Sequence, residues 1–164
     1  MKKKLASAIG ILLLTVGIAK AGNPPEQREG LWSIHKVTID DPGNKKTEST
    51  STICRSHAYD EHVRSLAKSR KDCTTVSESF EGGKYFKELS CEMAGTKMHS
   101  KVTSVFQGDT STHSENYATY TPAMAGISDS TMIMDQKYVG SCPAGTQPGD
   151  MTDSDGTATH LWKH

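Results

Sequence analysis

Apolar and polar residues alternate along most of the chain after residue 73, with the two-residue period of a half-buried β-strand. The alternation runs in short segments separated by turn-forming pairs such as Gly82-Gly83 and Gly108-Asp109. The last segment of this kind covers residues 131–139. Short strands joined by short turns predict an antiparallel meander and not parallel strand–helix–strand units.

A hairpin is predicted ahead of these segments. Residues 30–39 have the aromatic and β-branched content of a strand, and residues 46–54 form a second strand rich in Thr and Ser. Between them lies Asp41-Pro42-Gly43-Asn44. This is a strong turn signal, because proline presets φ at one corner while Gly or Asn accepts a positive φ at another.

One segment has the period of a helix. Tyr59, Val63, Leu66 and Ala67 recur at the spacing of one helical face, within residues 56–70. Ser56 can cap the start of such a helix, and acidic residues near its start and basic residues near its end suit the helix dipole. We therefore predict a single short helix between two β regions.

Together these elements predict a mainly β fold. We expect a single curved antiparallel sheet of about seven or eight strands with one short helix, shaped like a half-open barrel. This β domain would cover residues 22–142. Residues 143–164 are rich in Gly, Asp, Ser and Thr and are predicted to form a flexible C-terminal tail.

The first 21 residues have the plan of a secretory signal peptide. Lys2-Lys3-Lys4 is followed by an apolar stretch, Leu5 to Ala19, and by the small-residue site Ala19-Lys20-Ala21. The apolar stretch is shorter than the roughly 20 residues that a transmembrane helix needs. We expect cleavage after Ala21 and a periplasmic or secreted protein with no transmembrane segment after cleavage. The residue directly after the cleavage site is Gly22 and not a cysteine, so a lipoprotein anchor is not expected.

The charge balance changes once the leader is set aside. The 164 residues contain 19 basic and 19 acidic residues, but four of the basic residues lie in the leader. The remaining chain therefore carries a net charge of about −4. A nucleic-acid-binding protein normally shows a clustered basic excess, so no nucleic-acid partner is expected.

The chain has four cysteines, Cys54, Cys73, Cys91 and Cys142, an even number in an oxidising compartment. They predict two disulfides, and no pair has the C-x-x-C spacing of a redox motif or a zinc knuckle. Three pairings are possible. We favour Cys54–Cys73 with Cys91–Cys142, because the first bond would clamp the two ends of the predicted helix.

A set of apolar residues is predicted to share the concave face of the sheet: Tyr85, Leu89, Met93, Met98, Val102, Phe106, Met132, Met134 and Tyr138. Such a methionine-rich face adapts to varied shapes and could hold a small apolar ligand or an exposed segment of a partner. The alternative is that helix residues Tyr59, Val63 and Leu66 cover this face and make it an ordinary core.

Other chemistry is weakly represented. Met93, Met98, Met132 and Met134, with His99 nearby, could form a thioether site for Cu(I), although methionine also fills gaps in a thin core. We find no nucleophile elbow and no His-Glu-x-x-His motif, so neither an enzyme activity nor a cofactor is expected.

The sequence therefore favours a non-catalytic binding or interaction module. Its ligand or partner is not identified by any motif. Two versions stay open: a carrier of an apolar ligand on the concave face, and an envelope protein that meets a protein partner through its surface and its polar strand, Thr110 to Tyr120.

Several short motifs occur in a characteristic order over about residues 28–142: Glu29-Gly30-Leu31-Trp32, a strand ending in Cys54, a short helix, Cys73, Cys91, the turn Phe106-Gln107-Gly108-Asp109, and Tyr138-Val139-Gly140-Ser141-Cys142. This order resembles the domain of unknown function 3617 family of small exported proteobacterial proteins. The family usually has Pro-Gly-Leu-Trp at the first motif and Leu-Gly-Asp-Cys at the last. The resemblance implies an exported, disulfide-containing, β-rich domain, and it implies no activity.

Overall fold

The computed structural model describes residues 23–162, which form one antiparallel sheet of nine strands and one helix. The elements in chain order are β1 (Gly30–Asp41), β2 (Lys45–Arg55), α1 (His57–Ser69), β3 (Cys73–Glu81), β4 (Lys84–Met93), β5 (Thr96–Gln107), β6 (Ser111–Met124), β7 (Ile127–Gly140), β8 (Asp150–Asp153) and β9 (Ala158–His160). Their order across the sheet is β3-β4-β5-β6-β7-β1-β2-β8-β9, and the sheet is not closed into a barrel. The predicted mainly β fold with one short helix is confirmed.

The local signals of the sequence produce the expected turns and caps. In the turn between β1 and β2, the Asp41 carboxylate accepts a hydrogen bond from the backbone N–H of Asn44, at 3.1 Å. Ser56 caps α1, because its hydroxyl oxygen accepts a hydrogen bond from the backbone N–H of Tyr59, at 3.2 Å. The predicted hairpin and helix are both present.

The strand pairings assign each side chain of the sheet to one of two faces. Alternate residues of a strand point to opposite faces, and directly paired residues on neighbouring strands point to the same face. We call the face that carries Trp32, Ser104 and Met134 the inner face. The face that carries His35 and His113 is the outer face.

Helix α1 crosses the inner face. It leaves β2 and leads to β3, the first strand of the sheet order, which lies six strand positions away. Six strand spacings amount to about 29 Å measured through the sheet, and a 13-residue helix of about 20 Å with its short connections spans this distance. Small side chains such as Ser100 are buried on this face. Their burial indicates that the sheet curves, with the inner face as its concave side.

The core is small. Among residues 23–162, the buried apolar residues are Trp32, Ile53, Cys54, Tyr59, Cys91 and Ala118. Trp32 is fully buried and forms a cluster with Ile53 of β2 and Tyr59 of α1. Partly buried residues that pack against this cluster are Ile34, Tyr138, Met151 and Trp162. The core therefore lies at one end of the inner face.

The C-terminal segment differs from the predicted flexible tail. Residues 150–153 and 158–160 form β8 and β9, and β8 pairs with Ser51–Ile53 of β2. The glycines that suggested a tail lie between the strands, but Asp150, Thr152 and Asp153 belong to β8 itself, and Met151 packs against the core. Strand β8 has only four residues, so its two-residue period is too brief to be recognised in the sequence. Pairing with β2 stabilises it as a strand.

The disulfide pairing predicted from the sequence is wrong. The bonds are Cys54–Cys142 and Cys73–Cys91. Cys73 and Cys91 are direct cross-strand partners of β3 and β4. Cys54 lies on β2 and Cys73 on β3, six strand positions apart in the sheet, whereas a disulfide tolerates a Cα separation of only about 7 Å. The strand order therefore prevents Cys54–Cys73.

The predicted signal peptide, residues 1–21, lies outside the described residues. Within residues 23–162, no helix has the length and apolar character required to cross a membrane.

Candidate functional site

The nine residues proposed as a binding face do share the inner face. One row across the sheet runs from Tyr85 through Ser104 and Ser114 to Met134. The pairings of the strands place the remaining residues of the set on the same side: Leu89, Met93, Met98, Val102, Phe106, Met132 and Tyr138. All nine side chains are partly exposed. The period of two thus identified one continuous face.

Small polar residues lie between these apolar side chains. Ser100 and Ser104 of β5 are buried, and each has a partner on β6. Ser100 donates a hydrogen bond to the side-chain oxygen of Asn116, at 2.6 Å, and the hydroxyls of Ser104 and Ser114 are 2.8 Å apart. Because these groups satisfy each other, the floor of the inner face needs no water to bond its hydroxyls.

The N-terminal segment closes one end of the inner face. Gln27 is buried, and its side-chain oxygen accepts a hydrogen bond from the hydroxyl of Thr112 on β6, at 3.1 Å. Trp32 donates its indole N–H to the backbone carbonyl of Arg28, at 2.8 Å. The same segment also reaches the start of α1, where the ring of His57 is 3.1 Å from the backbone carbonyl of Gln27.

Helix α1 covers only part of this face. Its buried residues are Tyr59 and Asp60, both in the first turn. Val63 is 44% exposed and Leu66 is 54% exposed. The alternative in which Tyr59, Val63 and Leu66 together cover the face therefore holds for Tyr59 alone.

The C-terminal end of α1 lies near β3 and β4, at the opposite end of the strand order from β2. Beyond its last turn, the guanidinium of Arg70 donates to the sulfur of Met93 on β4, at 3.5 Å. The pKa of Glu78 on β3 is lowered, first because Tyr85 donates a hydrogen bond to its carboxylate and, in smaller part, by the charges of Lys87 and Lys68. The contact of Arg70 with Met93 and the start of β3 at Cys73 show that α1 bridges the inner face from β2 toward β3.

A cleft of about 260 Å³ lies between the middle of α1 and the sheet. Its lining is half apolar and half polar: Ile34, Ile53, Tyr59 and Val63, with Arg55, Asp60, Arg64 and Gln136. The volume is near the lower limit of small-molecule sites, which are typically about 300–1,000 Å³. On the inner face, Met134 is two residues along β7 from Gln136, so the cleft adjoins the predicted apolar set.

A hydrogen-bonded network joins three of the polar residues that line the cleft. The guanidinium of Arg55 donates to both carboxylate oxygens of Asp60, each at 2.9 Å, and to the side-chain oxygen of Gln136, at 3.0 Å. The same guanidinium lies over the ring of Trp32, 4.7 Å from its centroid. No motif in the sequence connects these four residues, because the tertiary fold brings β1, β2, β7 and α1 together.

The proposed copper set does not converge. Met93, Met98, Met132 and Met134 lie on the inner face, but β6 separates Met98 on β5 from the two methionines of β7. His99 lies on the outer face, where its Nε2 atom is 2.8 Å from the carboxylate of Glu88. The geometry does not bring these five residues together as one set of ligands.

The polar segment Thr110 to Tyr120 lies inside the sheet. Most of it belongs to β6, which pairs with β5 on one side and β7 on the other, so its backbone cannot add a partner strand. On the outer face, the ring of His113 is 2.7 Å from Asp135 and 3.3 Å from Glu115. The pKa of His113 is raised, first by the hydrogen bond with Asp135 and then by that with Glu115. The surroundings of His113 are therefore polar, whereas the same face also carries the exposed side chains of Phe86 and Tyr117.

Comparison with known proteins gives a family. No curated protein and no solved structure matches the chain significantly. A family model does match residues 27–142, which are more than half of the chain and extend from Gln27 of the N-terminal segment to Cys142, just after β7. The chain therefore belongs to the family described as Protein of unknown function (DUF3617).

Proposed function

We propose that this protein is an exported, non-catalytic binding module that carries a small apolar ligand on the inner face of its sheet. The main observation behind this proposal is that nine apolar side chains share this face, while α1 covers the face only at the Trp32 end. The remaining apolar surface is partly open. It adjoins the cleft beneath α1, although none of the nine residues lines that cleft. An apolar ligand would bury the surface that the helix leaves exposed.

The composition of the face supports a ligand of adaptable shape. Met132 and Met134 are neighbours on the inner face of β7. In the rows that run across the sheet, Met132 is aligned with Val102 of β5, and Met134 is aligned with Tyr85 of β4. Methionine side chains are flexible and polarisable, so they fit ligands of different outlines. The hydroxyl of Ser100 is already bonded to Asn116, and those of Ser104 and Ser114 to each other, which favours contact with an apolar chain over specific recognition of a polar group.

The proposed location outside the cytosol rests on the sequence and the disulfides. The first 21 residues have the plan of a cleavable signal peptide. Both disulfides are of the kind that persists in an oxidising compartment outside the cytosol. All four cysteines are thereby committed, which leaves no thiol nucleophile in the chain. These observations support a periplasmic or secreted protein.

Native mass spectrometry of the unreduced protein, purified after export, tests the proposal directly. The mass of the chain reports cleavage after Ala21, and a shift of four hydrogens reports both disulfides. We expect a small apolar adduct that is lost on organic extraction. A chain that retains residues 1–21 would contradict the export proposal.

A matched pair of variants tests the inner face as the binding surface. Val102 and Val105 are both on β5 and both partly exposed, but they point to opposite faces, and each is paired with a lysine of β4, Lys87 and Lys84. We expect Val102→Glu to lower the affinity for the fluorescent probe 1-anilinonaphthalene-8-sulfonate about tenfold, and Val105→Glu to leave it unchanged. Equal affinities for the two folded variants would refute binding on the inner face.

A further inference from the structure

We propose that residues 143–162 act as a strap that fixes the N-terminal end of α1 on the sheet and so sets the opening of the cleft beneath the helix. This segment begins directly after residue 142, where the match to the family model ends. It therefore lies outside the part of the chain that the family model describes. The inference concerns how α1 is held, and only its effect on ligand access rests on the proposed function.

The strap is tied to the sheet at three points. The disulfide Cys54–Cys142 anchors its start to the end of β2. The backbone N–H of Gly149 donates to the backbone carbonyl of Cys54, at 2.8 Å. Strand β8 then pairs with Ser51–Ile53 of β2. These bonds make the strap an extension of the sheet, beside the strand from which α1 departs.

The end of the strap contacts the helix. Leu161 donates its backbone N–H to the carbonyl of Gly149, at 2.9 Å, which returns the chain toward α1. The ring of Trp162 then lies against two residues of the first turns of α1. Its centroid is 6.0 Å from that of Tyr59, and it is stacked on His62 at 5.7 Å. Aromatic pairs at such distances stabilise a contact beyond their buried area.

The contact between strap and helix requires a glycine at position 149. A Cβ atom on Gly149 would lie 2.8 Å from the Cβ of Trp162 and 3.3 Å from a ring carbon of Tyr59. The φ angle of Gly149 is +93°, which also disfavours other residues. Strap, helix and Trp162 thus meet at a point that has no room for a side chain.

Few other apolar contacts hold α1. Tyr59 is its one buried apolar residue, and Val63 and Leu66 are about half exposed. Trp162 packs directly on Tyr59, so the strap adds to the contacts that Tyr59 makes with Trp32 and Ile53 of the sheet. If the strap is weakened, the first turns of α1 lose this packing, and the cleft that Val63 and Arg64 help to line changes its opening.

Hydrogen exchange measured by mass spectrometry on the full, oxidised chain tests the strap. The test variants are Trp162→Ala and Gly149→Ala. The controls are Leu161→Ala, a neighbouring exposed side chain, and Gly145→Ala, whose φ of +84° is similar but whose Cβ would meet open space. We expect amide exchange in residues 57–69 to rise about tenfold in both test variants and to stay unchanged in both controls.

Exchange in β5 reports in the same experiment whether each variant is folded. If Trp162→Ala unfolds the sheet as well, Gly149→Ala, which keeps the indole, decides the question. Unchanged exchange of α1 in a folded test variant would overturn the strap. The binding constant of 1-anilinonaphthalene-8-sulfonate gives a separate readout: we expect it to change in the test variants alone. A constant affinity despite faster exchange of α1 would overturn the effect on access.

Discussion

Arg55 and Asp60 join the end of β2 to the first turn of α1 through two parallel hydrogen bonds of 2.9 Å. Their side chains are only 15% and 11% exposed. The third bond of the guanidinium, to Gln136, and its position over Trp32 leave the charge well surrounded. A forked pair of this kind is specific in geometry, and removing one partner leaves a largely buried charge without compensation.

The first prediction follows from this pair. We expect Asp60→Ala to lower the free energy of unfolding by about 3 kcal/mol, because Arg55 would remain largely buried without its counter-ion. Urea unfolding measures the change. The neighbouring pair of Glu61 and Arg64 is a control, since its side chains are 67% and 48% exposed. Glu61→Ala should cost less than about 1 kcal/mol.

A double variant separates the loss of the pair from the loss of packing. Replacing Arg55 by Met and Asp60 by Leu together removes both charges and keeps most of the volume. We expect this variant to be more stable than Asp60→Ala alone, because no unpaired charge stays in the cleft. If Asp60→Ala costs no more than Glu61→Ala, the pair does not hold α1 on the sheet.

Local patterns in the sequence were sufficient to predict the inner face. A period of two residues is set by the strand itself, so Met132 and Met134 must point the same way wherever β7 is placed. The Ser56 cap and the Asp41–Asn44 turn are likewise local, and both are present. The sequence could thus predict which apolar residues share a face before any strand order was known.

Features that depend on distant pairings could not be predicted in this way. Arg55 and Gln136 are 81 residues apart and meet because β1 lies between β2 and β7. The disulfide Cys54–Cys142 depends on the same strand order, since the ends of β2 and β7 both flank the start of β1. Strand β8 is four residues long, and pairing with β2, more than its own composition, makes it a strand.

The second prediction compares the two disulfides. Cys54–Cys142 spans 88 residues and Cys73–Cys91 spans 18. A longer closed loop restricts the unfolded chain more, so losing the first bond should cost about 4.5 kcal/mol and losing the second about 3 kcal/mol. Paired Cys→Ala variants and urea unfolding measure both. Peptide mapping of the unreduced protein checks the pairing, and a Cys54–Cys73 peptide would contradict the structure.

The third prediction concerns Gly30, where β1 passes close to β7. A Cβ atom there would lie 2.5 Å from the carbonyl oxygen of Gly140 and 2.8 Å from the ring of Tyr138. The φ angle of Gly30 is +135°, so an alanine would be strained as well as crowded. We expect Gly30→Ala to cost about 3 kcal/mol of unfolding free energy.

Gly43 is the matched control for this position. Its φ is +102°, but no atom outside its chain neighbours lies within 4 Å of the place that a Cβ atom would occupy. Gly43→Ala therefore carries the backbone strain without the collision and should cost about 1 kcal/mol. Thermal unfolding with circular dichroism is sufficient to compare the two. Equal losses would show that backbone conformation, and not the close approach of β1 and β7, decides the requirement for glycine at position 30.

The fourth prediction concerns the pH dependence of stability through His113. Hydrogen bonds first with Asp135 and then with Glu115 raise its pKa in the folded protein above the value of about 6.5 in an unfolded chain. The folded state therefore binds the proton more tightly. The stabilisation is fully present below the unfolded pKa and is lost as the pH rises through the folded pKa. Stability should thus fall as the pH rises above about 6.5.

Replacing His113 by Asn should flatten this part of the pH profile, because the side chain that titrates is removed. Asp129→Asn is the control, since Asp129 lies on the same outer face, on the strand paired with that of His113, but bonds to Ser128 and not to a histidine. Urea unfolding at several pH values measures the slope, and NMR titration of the His113 ring measures its pKa. An unchanged slope in His113→Asn, or a ring pKa below that of a free histidine, would contradict the pairing with Asp135. The side chain of His113 is 42% exposed, so salt screens its charge. Raising the salt concentration should therefore reduce the difference in pH slope between His113→Asn and Asp129→Asn.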